Sequence, residues 1–428
     1  MAQLSDDCFA FGGRLMPAAD AVAQLKRVVV PVTESERVVL RYGRERFLAE
    51  DLVAPMSVPR HDNAAVDGYA VFFDDLEIGV DTRLPVTGRV AAGHPLERAA
   101  RRGEAIRIFT GAPMPAGPDT VMMQEDCTAD PGEGASGARG LGHVVIRPGI
   151  KRGANRRLAG EDVIAGAAVL SRGQRLRPQD IGLAAALGLT ELSVFRPLRI
   201  AVFSTGDEVR EPGAELPQGC IYDSNRVTIA ALLDGLGATV TDLGILPDRL
   251  DAIAATLAQA AGNHDAIVTS GGVSGGEEDH VKAAVESLGK LHFWRLAIKP
   301  GRPVALGQIG RVPFVGLPGN PVAVMVTFLA IARPLLLRLA GAAEIEARHF
   351  QVRADFDYKK KADRREFVRA RLTAGDDGVP VAHKFAREGA GILSSMVQSD
   401  GLVELPEELT RLERGSLVQF LPFSEVGL

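Results

Sequence analysis

The sequence predicts a multidomain α/β protein, and three observations carry that reading. Between residues 198 and 339, strand-like and helix-like segments alternate, which implies a largely parallel sheet covered on both faces. Ahead of it, short apolar runs broken by glycine and proline fill about 55–150. They are flanked by two amphipathic helical stretches, MPAADAVAQLKRVV at 16–29 and QRLRPQDIGLAAALGL at 174–189, so a β domain is inserted into a helical unit. After it, FQVRADF, EFVRARL and SLVQFLP alternate as strands of a small β domain.

With 428 residues, 46% of them hydrophobic, the chain can bury several cores. Its 49 basic and 54 acidic residues give a formal charge of -5 without a dominant run, which argues against a general nucleic-acid coat and leaves room for local anion pockets. Cys8, Cys127 and Cys220 are far apart, with neither a C-x-x-C pair nor histidine at zinc-finger spacing, so a reducing compartment fits. The N-terminus MAQLSDDCFAFGG has acids where a signal peptide has a basic stretch. PVAVMVTFLAIA, from Pro321, is stopped by Arg333 and Pro334, short of the roughly 20 residues of a spanning helix. A soluble cytoplasmic protein is expected, with no membrane or nucleic-acid partner.

In the α/β part, LRIAVFS, ATVTDLGIL, DAIVTS, LHFWRLAI and VPFVGL read as strands. SNRVTIAALLDGLG, RLDAIAATLAQAA, DHVKAAVESLG and the run from Pro321 read as helices. The loop DPGEGASGARGLG at 130–142 has a hairpin-tip composition and no assigned chemistry. Ligands of an open parallel sheet bind beyond the carboxyl ends of its strands, where helix N-termini present free N–H groups. Five consecutive strand ends deliver polar residues there: TGDE at 205–208, Pro247-Asp248, SGGVSGGEED at 270–279, KPGRP at 299–303 and LPGNP at 317–321.

SGGVSGGEED offers Ser270 and Ser274 as hydroxyl donors, and Gly271, Gly272 and Gly276 where backbone must approach a bulky anion; it reads as a phosphate cradle beside a metal ligand. The structural alternative is a glycine turn with Asp279 as N-cap. KPGRP sets Lys299 and Arg302 on one turn, able to face one anion; a solvated basic turn is the alternative. LPGNP, with Pro318, Gly319, Asn320 and Pro321, serves as helix start, anion contact or both. Asp207, Glu208, Asp248 and Asp279 are hard oxygen ligands without cysteine or clustered histidine, which suits Mg2+ better than zinc, although Asp207 and Glu208 also fit a simple turn cap. Trp294 reads as strand core, and His61 and the basic runs RRG and KRGANRR read as solvated, the second with a possible place in an anion pocket. In DNAAVDGYAV, Asp62 with Asn63 reads as turn chemistry, its side chain bonding its own backbone. Asp67 reads as the ligand-facing acid, beside a Gly68 that lets the chain turn tightly.

DNAAVDGYAV, IRIFTGAPMPAGPDTVMMQED, RRLAGEDV, VFSTGDEV, YDSNR, SGGVSGGEEDHVK, IKPGRP and GLPGNPVAV together resemble, in order and spacing, the molybdopterin molybdenumtransferases, the molybdenum insertases that include the gephyrin E domain. The resemblance runs the length of the chain. It implies an elongated homodimer of four-part chains: a discontinuous helical domain (1–52 and 148–195), an inserted β domain (53–147), an α/β molybdopterin-binding domain (196–342) and a C-terminal β-barrel-like domain (343–428). The active site would lie between the α/β domain of one chain and the inserted domain of the other. The implied reaction inserts molybdate into adenylylated molybdopterin and releases AMP with Mg2+. The catalytic set carried over is Asp67, Asp162, Asp207, Glu208, Asp248, Asp279, Lys299 and Arg302; of these Asp67, Asp162, Glu208, Asp248 and Asp279 are the metal candidates. Thr110, Glu125 and Thr205 join the glycine-loop and LPGNP residues as substrate contacts. The implied partners are a molybdopterin adenylyltransferase and apo-molybdoenzymes or their chaperones.

The chain departs from the family pattern at Ala64 and Val66 before DGYA, at Arg302 in place of lysine, and at Gly389-Ala390-Gly391, where the family often has a serine. Arg302 keeps the charge; Ala390 removes one hydroxyl, leaving Arg369 and Ser394 as polar contributors in that domain. Two other readings compete. A molybdopterin adenylyltransferase uses a similar S-G-G loop but needs neither DGYA nor GEDV. A non-catalytic dimeric scaffold would not need the acids or the Lys299/Arg302 pair.

Overall fold

The computed structural model describes residues 15–130, 141–271 and 280–427. They separate into two compact units: one takes the described residues up to Glu50 with Arg172–Arg177 and everything from Glu191 onward, the other takes Asp51–Ser171 and Pro178–Thr190. The helix Ala18–Val28 falls in the first and the helix Pro178–Ala186 in the second.

At the centre of the larger unit is a six-stranded sheet. Arg199–Thr205 pairs in parallel with Thr239–Leu246 on one side and with Ala266–Ser270 on the other, and Ala266–Ser270 pairs in parallel with Val312–Leu317. Along Arg199–Thr205 the side chains alternate between two cores. Ile200 and Val202 join the core containing the helix Ser224–Gly235 and the long apolar helix, while Ala201 and Phe203 join the core under Leu250–Asn263 and His280–Leu288. Burial on both faces explains why these strands read as continuous apolar runs.

In this sheet and its covering helix the sequence reading needs correction at three places. Pro303–Ile309 is a further strand, antiparallel both to Val312–Leu317 and to Gly289–Arg295, so the sheet is mixed. LHFWRLAI is not one strand: Gly289–Arg295 stays in this sheet with Trp294 fully buried, and Ile298–Lys299 leaves it to pair with Arg365–Glu366 of the C-terminal domain. The apolar helix does not stop at Arg333 and Pro334. It runs from Pro321 to Leu339 through a π-helical turn at Phe328–Ala332, where the Arg333 N–H bonds the Phe328 carbonyl five residues back. The wider turn removes the need for the N–H that Pro334 lacks and relieves its ring from the carbonyl of the preceding turn. These 19 residues are apolar enough to span a membrane, yet 89% of the stretch is buried inside the protein, as befits a core helix.

The C-terminal domain is a closed five-stranded barrel. Arg365–Thr373, Val381–Lys384, Phe350–Ala354, Leu417–Pro422 and Gly401–Leu405 pair in succession, and Gly401–Leu405 returns to Arg365–Thr373. In the second unit, Gly68–Val71 is an inner strand of another six-stranded sheet, between Ala105–Ile108 and Thr120–Met123. Gly68 serves this packing rather than a tight turn: a Cβ there would lie 1.7 Å from the Met122 carbonyl oxygen.

Candidate active site

At the carboxyl edge of the central sheet, a cleft of about 610 Å³ opens between the strand-end turns and the barrel. Gly271, Lys299–Pro303 and Pro318–Asn320 form one wall; Tyr358, Arg364, Glu366, Arg369, Lys384, Arg387 and Glu388 are among those forming the other. Topology explains the convergence. Gly289–Arg295 runs parallel to Val312–Leu317 across the intervening antiparallel strand, so KPGRP emerges at the same edge as SGG and LPGNP. The short pairing of Ile298–Lys299 with Arg365–Glu366 then seats the barrel over that edge. Six cations and two carboxylates line the cleft, an excess of positive charge suited to an oxyanion.

The KPGRP turn is shaped by Gly301, whose φ of +97° is open to glycine and whose Cα faces the apolar helix: a Cβ would lie 2.2 Å from Thr327 Oγ1. Arg302 is exposed and makes no ion pair among the described residues. Lys299 lies 3.3 Å from Glu366 Oε2 and donates to the Tyr358 hydroxyl at 3.4 Å. Burial together with the hydrogen bond to Glu366 pushes the Tyr358 phenol well above its ordinary range, so it stays protonated. Arg369 is buried, which lowers its pKa. Its Nε donates to Ser395 Oγ at 3.0 Å, and its Nη2 donates to the carbonyls of Arg387 and Gly389. The serine that holds it is Ser395; Ser394, the polar contributor the sequence offered, is exposed at the start of its short helix. Ala390 lines the cleft, and its carbonyl accepts the Val322 N–H at the head of the apolar helix.

Around the corner of the same edge, Thr205 is buried at the end of its strand and its hydroxyl bonds Asp248 Oδ1 at 3.3 Å. Asp207 and Glu208 are exposed. Gly206 has φ +136° and leaves room for the Glu208 carboxylate, which would stand 2.7 Å from a Cβ there. Their loop is anchored by Arg226 of the YDSNR motif. This buried guanidinium bonds Asp223 at 2.9 Å, Glu211 at 2.5 Å and also Asp242. Ser270 ends its strand buried, and Gly271, at φ +80°, donates to the Leu317 carbonyl. Gly272, Ser274, Gly276 and Asp279 lie outside the described residues. In LPGNP, Asn320 is the N-cap residue without a side-chain cap bond, and Asn225 Nδ2 donates to the Gly319 carbonyl at 2.7 Å.

Among the described residues no three acids, cysteines or histidines converge on a metal position. The donors at this edge are hard carboxylate and hydroxyl oxygens. They are of the type that suits Mg2+, an ion that keeps several waters and shares phosphate oxygens.

In the second unit, Asp67 Oδ1 accepts both the backbone N–H of Thr110 at 2.8 Å and its hydroxyl at 2.7 Å. The first of these bonds, then the second, holds the carboxyl below its ordinary range, with Arg107 adding to the effect. Arg107 lies 5.0 Å over Tyr69 and 4.8 Å over Phe109, donating to Gln124 Oε1, whose own amide donates to Glu125 Oε1 at 3.2 Å. Asp67, Thr110 and Glu125 thus belong to one polar network. Asp162 is exposed in the turn after RRLAGE, its N–H bonded to the Val58 carbonyl. Asp62 does not bond its own backbone: its carboxylate accepts from the Ala159 N–H at 2.9 Å and pairs with Arg156, a tie across nearly a hundred residues that a local motif could not disclose. KRGANRR is likewise structural in part, since Arg152 pairs with Asp119 and Asp74. Among the cleft residues, Tyr358, Arg364, Glu366, Lys384, Arg387 and Glu388 escaped the sequence reading; the charge density of DYKKKADRREF was the available signal.

An α/β sheet whose strand ends share a cationic cleft with a five-stranded barrel defines a multidomain protein built to hold an anion. Residues 16–188 match the MoeA N-terminal region (domain I and II), 201–338 the probable molybdopterin binding domain, and 351–423 the MoeA C-terminal region (domain IV). The chain is 37% identical to a molybdopterin molybdenumtransferase of Haemophilus influenzae over 92% of this chain and 95% of that one. It is 35% identical to molybdopterin molybdenumtransferase 2 of Mycobacterium tuberculosis over 93% and 96%. The crystal structure of a molybdopterin biosynthesis MoeA protein from Pyrococcus horikoshii OT3 matches with a TM-score of 0.79 at 28% identity, covering 96% of this chain and 100% of that one. The chain belongs to the molybdopterin molybdenumtransferase family, transferases of molybdenum cofactor biosynthesis.

Proposed function

We propose that the chain inserts molybdate into adenylylated molybdopterin, cleaving the phosphoanhydride and releasing AMP. The observation that carries this reading is the cleft where Lys299 and Arg302 meet the basic residues of the barrel at the carboxyl edge. A tetrahedral oxyanion requires several donors fixed before it arrives, and ammonium and guanidinium groups on two walls meet that need. Arg302 and Arg387 contact the oxyanion, Lys299 faces it from the turn, and Arg369 shapes the inner end through Ser395. Thr205 and the SGG loop receive the pyrophosphate end of the substrate, which Asp248 would meet through the metal. Glu208, Asp248 and Asp279 would hold Mg2+, which would supply charge neutralisation at the pyrophosphate. Asp67 and Asp162 complete the site from the inserted domain of a partner chain, in a cytoplasmic homodimer. A molybdopterin adenylyltransferase supplies the substrate, and apo-molybdoenzymes or their chaperones take the product.

The test is AMP release from adenylylated molybdopterin with molybdate or tungstate, with and without Mg2+, for the wild type and for Arg302→Met. Molybdate-dependent release that needs Mg2+ and falls about a hundredfold in the variant is expected. Adenylation of molybdopterin from ATP without molybdate would overturn the assignment in favour of an adenylyltransferase, and no turnover at all in favour of a scaffold.

A further inference from the structure

Glu366 is a carboxylate on the wall of a site made for anions, and its side chain is only 1% exposed. Sheet register puts it there: in the parallel pairing of Ile298–Lys299 with the barrel, Lys299 stands opposite Glu366. One oxygen of Glu366 is held by Arg364, at 2.7 Å from Nε and 2.6 Å from Nη2. The other accepts the Tyr358 hydroxyl at 2.9 Å and lies 3.3 Å from the Lys299 ammonium. The Tyr358 ring adds a floor, with Lys299 Nζ 5.9 Å and Lys384 Nζ 5.2 Å from its centroid. Glu388 lies 3.1 Å from the Lys384 ammonium and 3.8 Å from that of Lys299, whose side chain is 42% exposed on the cleft.

We propose that Glu366 is a positioning residue for the molybdenum-transfer reaction, fixing the Lys299 ammonium at the cleft wall so that its cleft-facing N–H points at the incoming oxyanion. A lysine head on a flexible four-carbon stem otherwise samples many rotamers, and ordering it at each binding event weakens the anion. Glu366 is itself immobile because Tyr358 and Arg364 fix it, so it passes that order to Lys299. This role rests on the reading of the cleft as the oxyanion site.

The sign of one substitution separates positioning from a through-space effect. Removing a negative charge beside an anion site strengthens anion binding if charge alone matters. If Glu366 positions Lys299, Glu366→Gln weakens it. The experiment measures AMP release against molybdate concentration for Lys299→Met, Glu366→Gln and the double variant. Glu366→Gln should raise the half-saturating molybdate concentration about tenfold while the maximal rate stays within about twofold, and the double variant should be no weaker than Lys299→Met alone. If Glu366→Gln does not fold by circular dichroism, Tyr358→Phe, which keeps the charge, should raise that concentration about threefold. An unchanged or lowered half-saturating concentration in the variant that folds, or losses that add to that of Lys299→Met, overturns the positioning role. An unchanged value in Lys299→Met overturns the oxyanion reading of the cleft itself.

Discussion

Single residues in this chain gain their meaning from partners far along the sequence, and Glu104 of the inserted sheet illustrates how such a group supports stability. Burial alone would raise its pKa, but the Arg98 guanidinium, the Thr87 hydroxyl and the Arg101 N–H together hold it down to about 2. A carboxyl depressed from 4.5 stabilises the fold fully above its unfolded value and loses that contribution as pH falls through 4.5 toward about 2. Glu104→Gln is therefore expected to destabilise the chain by about 2–3 kcal/mol at neutral pH. Urea titrations at stepped pH should show that difference shrinking below about 4.5; a difference constant with pH would mean that packing, not charge, is what the variant lost. The sequence disclosed residue types and their clustering at strand ends. It could not disclose Asp67 with Thr110, Asp62 with Arg156, or Glu366 with Lys299, because those pairs are brought together by strand register and not by spacing. Gly68 was legible as special, yet for the wrong reason, since the carbonyl that excludes a side chain belongs to a neighbouring strand.

Elements were legible where burial is continuous and ambiguous where the chain changes sheets. The parallel strands and their helices fall within a residue or two of their apolar runs, whereas LHFWRLAI hides a crossing from one sheet to another, because both halves are equally apolar. That crossing is what brings KPGRP against the helix beginning at Pro321, and Gly301 is the contact point. Gly301→Ala places a methyl into Thr327 Oγ1 and asks alanine to hold φ +97°. A loss of about 2–3 kcal/mol is expected, with AMP release falling more than about tenfold as Lys299 and Arg302 shift with the turn. Thermal melts and turnover on the same preparation check both halves. A variant with wild-type melting and wild-type rate would mean that the turn is not rigidly seated on the helix.

At the scale of the whole molecule, the domain types were read from the periodicity of apolar residues along the chain, and the family followed from eight motifs in order. The larger unit carries Lys299, Arg302, Thr205 and Asp248; the other carries Asp67, Thr110 and Asp162. The proposed homodimer, in which the second group is supplied by a partner chain, makes a quantitative prediction for mixed dimers. Asp67→Asn disables the contribution a chain makes to its partner's site, and Asp248→Asn disables the site the chain carries itself. Each homodimer of variants has two damaged sites. A heterodimer of the two variants concentrates both lesions in one site and leaves the other intact. With random pairing of equal amounts, half the dimers are mixed and each has one working site, so the mixture should recover about one quarter of wild-type AMP release. Unfolding and refolding the variants together, then separately as a control, supplies the measurement. No recovery in the mixture, with dimers confirmed by sedimentation, would place both acids in sites completed within a single chain.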